Sequence, residues 1–195
     1  MSFDFILESA LLGVGLAMDA FSVSLANGLR EPRMGLGRMS KIAGIYAFFQ
    51  YLMPLLGWVC VHTVVEAFSS LERFIPWIAL GLLGWIGGKM LLEGLRERKS
   101  EAPVEKKGPG IRELLIQGVA TSIDALSVGF TIAQYQAAMA LAASLIIAVV
   151  TFGICMGGAF IGKKVGAHLS GKASILGGTI LIAIGLEILI KSFIA

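Results

Sequence analysis

The chain is poor in charged residues and in the side chains that build soluble metal or redox sites. Only 15% of its 195 residues are Asp, Glu, Lys or Arg, whereas 56% are hydrophobic, and mean hydropathy is +0.84. Its two cysteines, Cys60 and Cys155, lie in separate apolar runs without paired spacing, which excludes a disulfide framework and a zinc ribbon. A GxxxxGKS/T phosphate loop is absent, so ATP-driven pumping within this chain is not expected. The composition excludes an ordinary soluble protein.

Long apolar runs dominate the sequence instead. Six of them reach the roughly 20 residues that a helix needs to cross a bilayer. Each run is predicted to be a helix, because lipid offers no hydrogen-bond partners to an open backbone. The predicted fold class is therefore all-α integral membrane, with six transmembrane helices at about residues 5–27, 42–66, 75–95, 112–134, 137–162 and 174–194.

The basic residues are concentrated in three of the five loops. Of the 16 Lys and Arg residues, 13 lie between spans one and two, three and four, or five and six, with Arg112 counted at the first position of span four. By the positive-inside rule these loops face the cytoplasm and both termini lie outside. This flanking pattern accounts for the formal net charge of +3, and no nucleic-acid partner is predicted.

A sequence echo divides the chain into two related halves. The segment around Asp19 recurs 105 positions later around Asp124, and Gln50 and Gly57 are matched 101 positions later by Thr151 and Gly158. We predict a first three-helix repeat at 1–95, a charged cytoplasmic linker at 96–111 and a second repeat at 112–195. Because three is odd, the halves enter the membrane from opposite sides, as in many secondary transporters with inverted repeats.

The duplicated acids are the first candidates for a functional site. A carboxylate inside a membrane span is costly and marks an ion or substrate path by default. Six other side chains could add oxygen ligands: Ser22, Gln50, Thr121, Ser122, Ser127 and Thr151. Such a set suits a hard divalent cation such as manganese or magnesium, carried as substrate with no resident cofactor. Alternatively, each acid bonds a neighbouring hydroxyl or pairs with Lys89.

Two further polar pairs have less specific patterns. Lys89 and Glu187 occupy similar places in the two halves and could form an ion pair or extend toward an interface. His62 and Glu66 have the i, i+4 spacing of metal ligands, but an interfacial polar patch accounts for them as well.

Five short motifs, in order, carry a resemblance to a known family: MDAF at 18–21, PLLGW at 54–58, GGKM at 87–90, ATSIDA at 120–125 and ILGG at 175–178. Over essentially its full length the chain resembles the MntP family of bacterial manganese efflux pumps. The resemblance implies a manganese(II) exporter of the bacterial plasma (inner) membrane, with Asp19 and Asp124 at the family's intramembrane aspartates. Some members carry alanine at positions 22 and 127 and an acid at position 50.

Proton antiport is the predicted energy source. Moving a divalent cation outward against an inside-negative potential costs about 4.6 kcal/mol per 100 mV. Membrane carboxylates that hold protons without metal and release them when metal binds would couple the two fluxes. The expected partners are a divalent metal ion, protons and the lipid bilayer.

Two rival functions remain open at this point. One is an exporter of another divalent metal or of an amino acid. The other is an intramembrane aspartyl protease, which would also use two membrane acids. The residues before each acid, Ala17-Met18 and Ser122-Ile123, lack the Gly-x-Gly run expected of such proteases, so the prediction is a transporter and not an enzyme.

Overall fold

The computed structural model describes residues 3–63, 75–99, 108–169 and 173–194, and this part of the chain is helical, with no strand. The helices are α1 (Phe3–Arg30), α2 (Leu36–Thr63), α3 (Ile75–Lys99), α4 (Ile111–Ala120), α5 (Ile123–Thr131), α6 (Ala137–Leu169) and α7 (Ala173–Ile194). The all-α fold class is thus confirmed for the described residues.

Three of the predicted spans are long, apolar helices that could cross a membrane: Phe3–Arg30, Leu36–Val61 and Ala137–Gly166. They correspond to predicted spans one, two and five. Predicted spans three and six are helical as α3 and α7, and Ile175–Ile184 is an apolar stretch of α7. A complete set of six spans stays a prediction.

The fourth predicted span differs from expectation because it is not one helix. The sequence predicts a continuous span at 112–134, but α4 ends at Ala120 and α5 begins at Ile123. At the junction the Thr121 hydroxyl donates to Gln117 O at 2.9 Å, and the Ser122 hydroxyl donates to Gly118 O at 2.7 Å. Both hydroxyls thus bond carbonyls of the preceding turn at the point where the helix is interrupted.

The predicted linker at 96–111 is also shorter than expected. Residues 96–99 continue α3, residue 111 begins α4, and residues 100–107 lie outside the described residues. Arg, Glu and Lys are good helix formers, so charge alone does not end α3. His62 lies in the last turn of α2, and Glu66 lies outside the described residues.

Two parallel helix pairs form the centre of the molecule. Close approaches of Gly13 to Ile147 and of Gly28 to Gly162 show that α1 runs parallel to α6. Along α2, Tyr46 and Gln50 contact Gln117 and Thr121 in the same order, so α2 runs parallel to α4 and α5. Outside this centre α3 packs against α7, and α7 also contacts α1.

Two glycine contacts are equivalent in the two halves. A Cβ on Gly57 would lie 2.2 Å from Leu126 O, and a Cβ on Gly158 would lie 2.7 Å from Phe21 O. Gly57 and Gly158 are 101 positions apart, and Phe21 and Leu126 are 105 positions apart. Glycine is required because the neighbouring main chain occupies the space of any side chain.

The turn between α1 and α2 and residues 108–110 meet at one end of the bundle, which we call the basic side. Pro32 cannot continue α1, and the chain turns before α2 begins at Leu36. Arg38 donates to Glu31 at 3.3 Å and to Pro109 O, and Lys163 donates to Met34 O at 2.7 Å. These contacts bring together residues that flank all three of the predicted cytoplasmic loops.

Candidate metal site

The amide of Gln50 joins the two segments that carry the aspartates. Its Nε2 donates to Leu16 O on α1 at 3.1 Å and to Thr121 O at the α4–α5 junction at 3.0 Å. Leu16 and Thr121 are 105 positions apart, the same offset as Asp19 and Asp124, which each lie three residues further on. Gln50 therefore contacts equivalent carbonyls, each about one helical turn before an aspartate.

The oxygen of the Gln50 amide, in contrast to its nitrogen, makes no hydrogen bond to the described residues. Gln50 is fully buried, and its Oε1 has no hydrogen-bond partner among the residues that the structure describes. Its main-chain carbonyl also lacks the ordinary helical donor, because residue 54 is a proline without an N–H group. A buried acceptor without a partner is costly, so an oxygen held in this way is a candidate ligand for a cation.

Thr151, the counterpart of Gln50 in the other half, has a similar environment. It lies on α6, which packs against both α1 and α2, and it is fully buried. Within the described part of the chain, its Oγ1 has no hydrogen-bond partner. Of the eight side chains predicted from the sequence, Gln50 and Thr151 are thus the two that present buried oxygens without partners in the structure.

The two aspartates occupy different environments. Asp19 is half-buried in the middle of the continuous helix α1, whereas Asp124 is exposed in the first turn of α5. The backbone N–H of Ala125 donates to Asp124 Oδ1 at 2.9 Å. The first turn of a helix is a favourable place for negative charge, because its free N–H groups point toward it.

Most of the predicted hydroxyl ligands bond their own helices. Ser22 donates to Met18 O at 3.0 Å, in addition to the Thr121 and Ser122 bonds that interrupt the fourth span. Ser127 is exposed on α5. The i−4 pattern is an ordinary one for Ser and Thr in helices, and it leaves the oxygen lone pairs of Ser22, Thr121 and Ser122 available to a cation.

A buried polar network next to Gln50 was not predicted from the sequence. Asn27 Nδ2 donates to Tyr46 Oη at 2.7 Å and to Gln117 Oε1 at 2.8 Å, and Tyr46 Oη donates to Gln117 Oε1 at 2.6 Å. An ion pair between Arg30 and Glu113 lies next to it, with side chains only 7% and 13% exposed. The available signal was Asn27 and Gln117, two amide side chains inside apolar runs.

Carboxylates, imidazoles and thiols do not form a metal cluster by themselves in the described part of the chain. Groups of three or more His, Cys, Asp or Glu side chains that could hold a metal ion are absent there. Lys89 and Glu187 are both exposed, on α3 and α7. Any cation site among these residues must combine acids with neutral oxygens, as the sequence predicts.

Comparison with known proteins identifies the family. A family model described as "Putative manganese efflux pump" matches residues 33–189. A protein of Gloeothece citriformis named "Putative manganese efflux pump MntP" is 40% identical over 187 residues, covering 95% of each chain. A protein of the same name from Clostridium perfringens is 38% identical over 205 residues, covering 95% of this chain and 94% of its own. The chain belongs to the MntP family of manganese efflux pumps.

Membership of the MntP family confirms the resemblance seen in the sequence. It also confirms the prediction of a membrane transporter and not an enzyme, because the relatives are named as efflux pumps. A third MntP relative, from Clostridium botulinum, is 38% identical over 189 residues and covers 93% of this chain and 92% of its own. No solved structure matches the chain.

Proposed function

We propose that this protein exports manganese(II) across the bacterial plasma membrane, through one site built from Asp19, Asp124, Gln50 and Thr151. The observation that carries the proposal is the Gln50 amide. Its nitrogen binds equivalent carbonyls one turn before each aspartate, and its buried oxygen has no partner in the described part of the chain. A cation between the two halves would supply the missing partner.

The chemistry of these four side chains fits a hard divalent ion. Two carboxylates match the charge of manganese(II), and amide and hydroxyl oxygens add neutral ligands. Thiolate and imidazole ligands, which favour zinc and copper, are absent from the set. The relatives that match over almost the whole chain are named manganese efflux pumps, which favours manganese as the ion.

The same contacts support an inverted repeat with six spans. Gly57 meets Leu126 O as Gly158 meets Phe21 O, and Gln50 bonds both Leu16 O and Thr121 O. Such equivalences are expected when two three-helix halves pack around a shared axis in the membrane. In this proposal the basic side faces the cytoplasm and both termini lie outside.

Proton antiport supplies the energy in this proposal. An outward-moving divalent ion works against the membrane potential at about 4.6 kcal/mol per 100 mV. Protons that enter from outside bind Asp19 and Asp124 after manganese has left, and manganese from the cytoplasm displaces them. Proton and metal thus compete for the same carboxylates.

Transport into inverted membrane vesicles, whose interior corresponds to the outside of the cell, tests the function. We expect vesicles containing the protein to accumulate manganese when their interior is acidic, and to lose this activity when an ionophore collapses the proton gradient. Replacement of Gln50 by leucine should reduce the rate by about 10- to 100-fold, the range found when a group that orients a metal ligand is lost. The control is Gln134→Leu, an exposed amide in the turn after α5.

The same vesicles distinguish the competing functions. Accumulation of magnesium, cobalt or zinc in place of manganese would assign another substrate. Uphill manganese accumulation with no pH gradient, potential or other ion gradient would contradict antiport. Equal rates for the Gln50→Leu and Gln134→Leu variants would contradict the role of Gln50.

A further inference from the structure

The network of Asn27, Tyr46 and Gln117 closes the centre of the bundle on its basic side. All three side chains are fully buried, and they come from α1, α2 and α4 respectively. Their mutual hydrogen bonds are 2.6 to 3.5 Å long, so they use one another as partners. Three helices are therefore held together by uncharged polar groups at one level.

The Arg30–Glu113 ion pair forms a second layer below this network. Arg30 follows Asn27 by three residues on α1, and Glu113 precedes Gln117 by four residues on α4, so both layers connect the same two helices. The spacing is about one helical turn. Beyond the pair, Arg38 donates to Pro109 O, which anchors the chain just before α4.

The network lies directly between the basic side and the candidate metal site. Gln50 follows Tyr46 by four residues, and Thr121 follows Gln117 by four residues, so the Gln50 contacts are one turn further from the basic side. A cation that reached Gln50 between α1, α2 and α4 would have to pass this network.

On the opposite side of the candidate site, the equivalent positions carry apolar side chains. With the offsets that relate the two halves, Asn27 corresponds to Ile132, Gln117 to Leu12 and Tyr46 to Ile147. Ile132 and Ile147 are buried, and Leu12 packs in one apolar cluster with Ile147, Leu16 and Met53. The two layers are thus polar on the basic side and apolar on the other.

We propose that the Asn27–Tyr46–Gln117 network, together with the Arg30–Glu113 pair, is the gate through which the transported cation enters from the basic side. The inference rests on the proposed function. Opening requires α4 to separate from α1 and α2, and the interruption at Thr121–Ser122 lets α4 tilt without moving Asp124 on α5. The amide and phenol oxygens that bond one another in the closed gate are ligands that a hard cation accepts as it passes. The apolar layer of Leu12, Ile132 and Ile147 is the opposing gate.

Cys155 provides a native reporter of gate opening. It is fully buried on α6 and belongs to the same core cluster as Tyr46. In a Cys60→Ala background, the rate at which a small, positively charged, membrane-impermeant thiol reagent modifies Cys155 measures access to the space behind the gate. Vesicles of both orientations show from which side the reagent arrives.

We expect Tyr46→Phe to accelerate modification of Cys155 from the basic side by about three- to tenfold, because the phenyl ring keeps its volume but loses both hydrogen bonds. Glu113→Gln, which removes the ion pair but preserves the size of the side chain, should also accelerate the modification of Cys155 from the basic side. Tyr51→Phe, on the same helix but outside the network, is the matched control. Each variant must elute as a single species in size-exclusion chromatography and retain a cooperative thermal transition.

The proposed gate would be overturned if Cys155 were modified at an unchanged rate in both folded gate variants. Equal acceleration by Tyr51→Phe, or acceleration only from the opposite side, would also overturn it. This readout does not depend on transport. Faster modification of Cys155 without any manganese flux would support the proposed gate and contradict the proposed substrate. Manganese efflux with unchanged modification of Cys155 would contradict the gate alone.

Discussion

At the scale of single residues, the central question is whether Asp19 and Asp124 act as one unit. They are equivalent in sequence but differ in the structure, since Asp19 is half-buried and Asp124 is exposed at the start of α5. Gln50 bonds the main-chain carbonyl three residues before each of them, and its buried oxygen has no hydrogen-bond partner among the described residues. A shared site predicts that loss of either acid removes the binding of manganese.

We therefore expect Asp19→Asn and Asp124→Asn each to abolish high-affinity manganese binding in calorimetry on purified protein, while the fold survives. The double variant should add little, because residues that act as a unit are strongly non-additive. Asp4→Asn, at the exposed start of α1, is the control for loss of a carboxylate. Two independent sites would instead give half the stoichiometry at unchanged affinity in each single variant.

Some of the candidate site could be proposed from the sequence because charge is so rare in its spans. Asp19 and Asp124 stand out in apolar runs, and the repeat offset then indicates Gln50 and Thr151. The network of Asn27, Tyr46 and Gln117 could not be predicted, because its partners are separated by 19 to 90 positions. Uncharged polar residues are common in membrane helices, and only the packing of three helices brings these side chains together.

At the scale of helices, periodicity and length predicted where the elements lie, but not the break in the fourth span. Thr and Ser are also found within intact helices, so Thr121-Ser122 carries no clear signal in sequence. The structure extends α3 to Lys99, beyond the predicted end at residue 95, because the charged residues that suggest a linker are also good helix formers.

The crossing of α2 and α5 depends on Gly57. A Cβ there would lie 2.2 Å from Leu126 O, so Gly57→Ala forces the helices apart near Asp124. We expect a loss of about 1–3 kcal/mol in stability, measured by thermal unfolding in detergent, as for other overpacked contacts. In contrast, Gly153→Ala on α6 meets nothing within 4 Å and should be neutral or stabilising by roughly 0.5–1 kcal/mol. Equal melting temperatures for the two variants would contradict the close crossing.

At the scale of the whole molecule, we expect the basic side to determine the orientation in the membrane. Arg30, Arg38 and Lys163 are brought to one end of the bundle by their contacts with Glu113, Pro109 and Met34. Concentrated positive charge of this kind is retained on the cytoplasmic side during insertion.

Labelling of introduced cysteines in intact cells measures this orientation. In a background without Cys60 and Cys155, we expect Ser100→Cys, in the charged linker, to resist an impermeant thiol reagent until the cells are permeabilised. Gln134→Cys, in the turn between α5 and α6, should react in intact cells because that turn lies at the other end of the bundle. The reverse pattern would invert the assignment of the two faces and the direction of export.

The Gln50 amide also has a consequence for how the two halves diverged. One nitrogen bonds both Leu16 O and Thr121 O, so these two carbonyls are satisfied by a single side chain from one half. If the chain arose by duplication, an identical glutamine at position 151 would have competed for the same two acceptors. Replacement by threonine, which is shorter, avoids that competition and keeps an oxygen in the interior. The two repeats are thus expected to lose sequence identity first at positions where one residue forms contacts with both repeats. Residues that each repeat supplies for itself, such as the aspartates, are expected to remain the same.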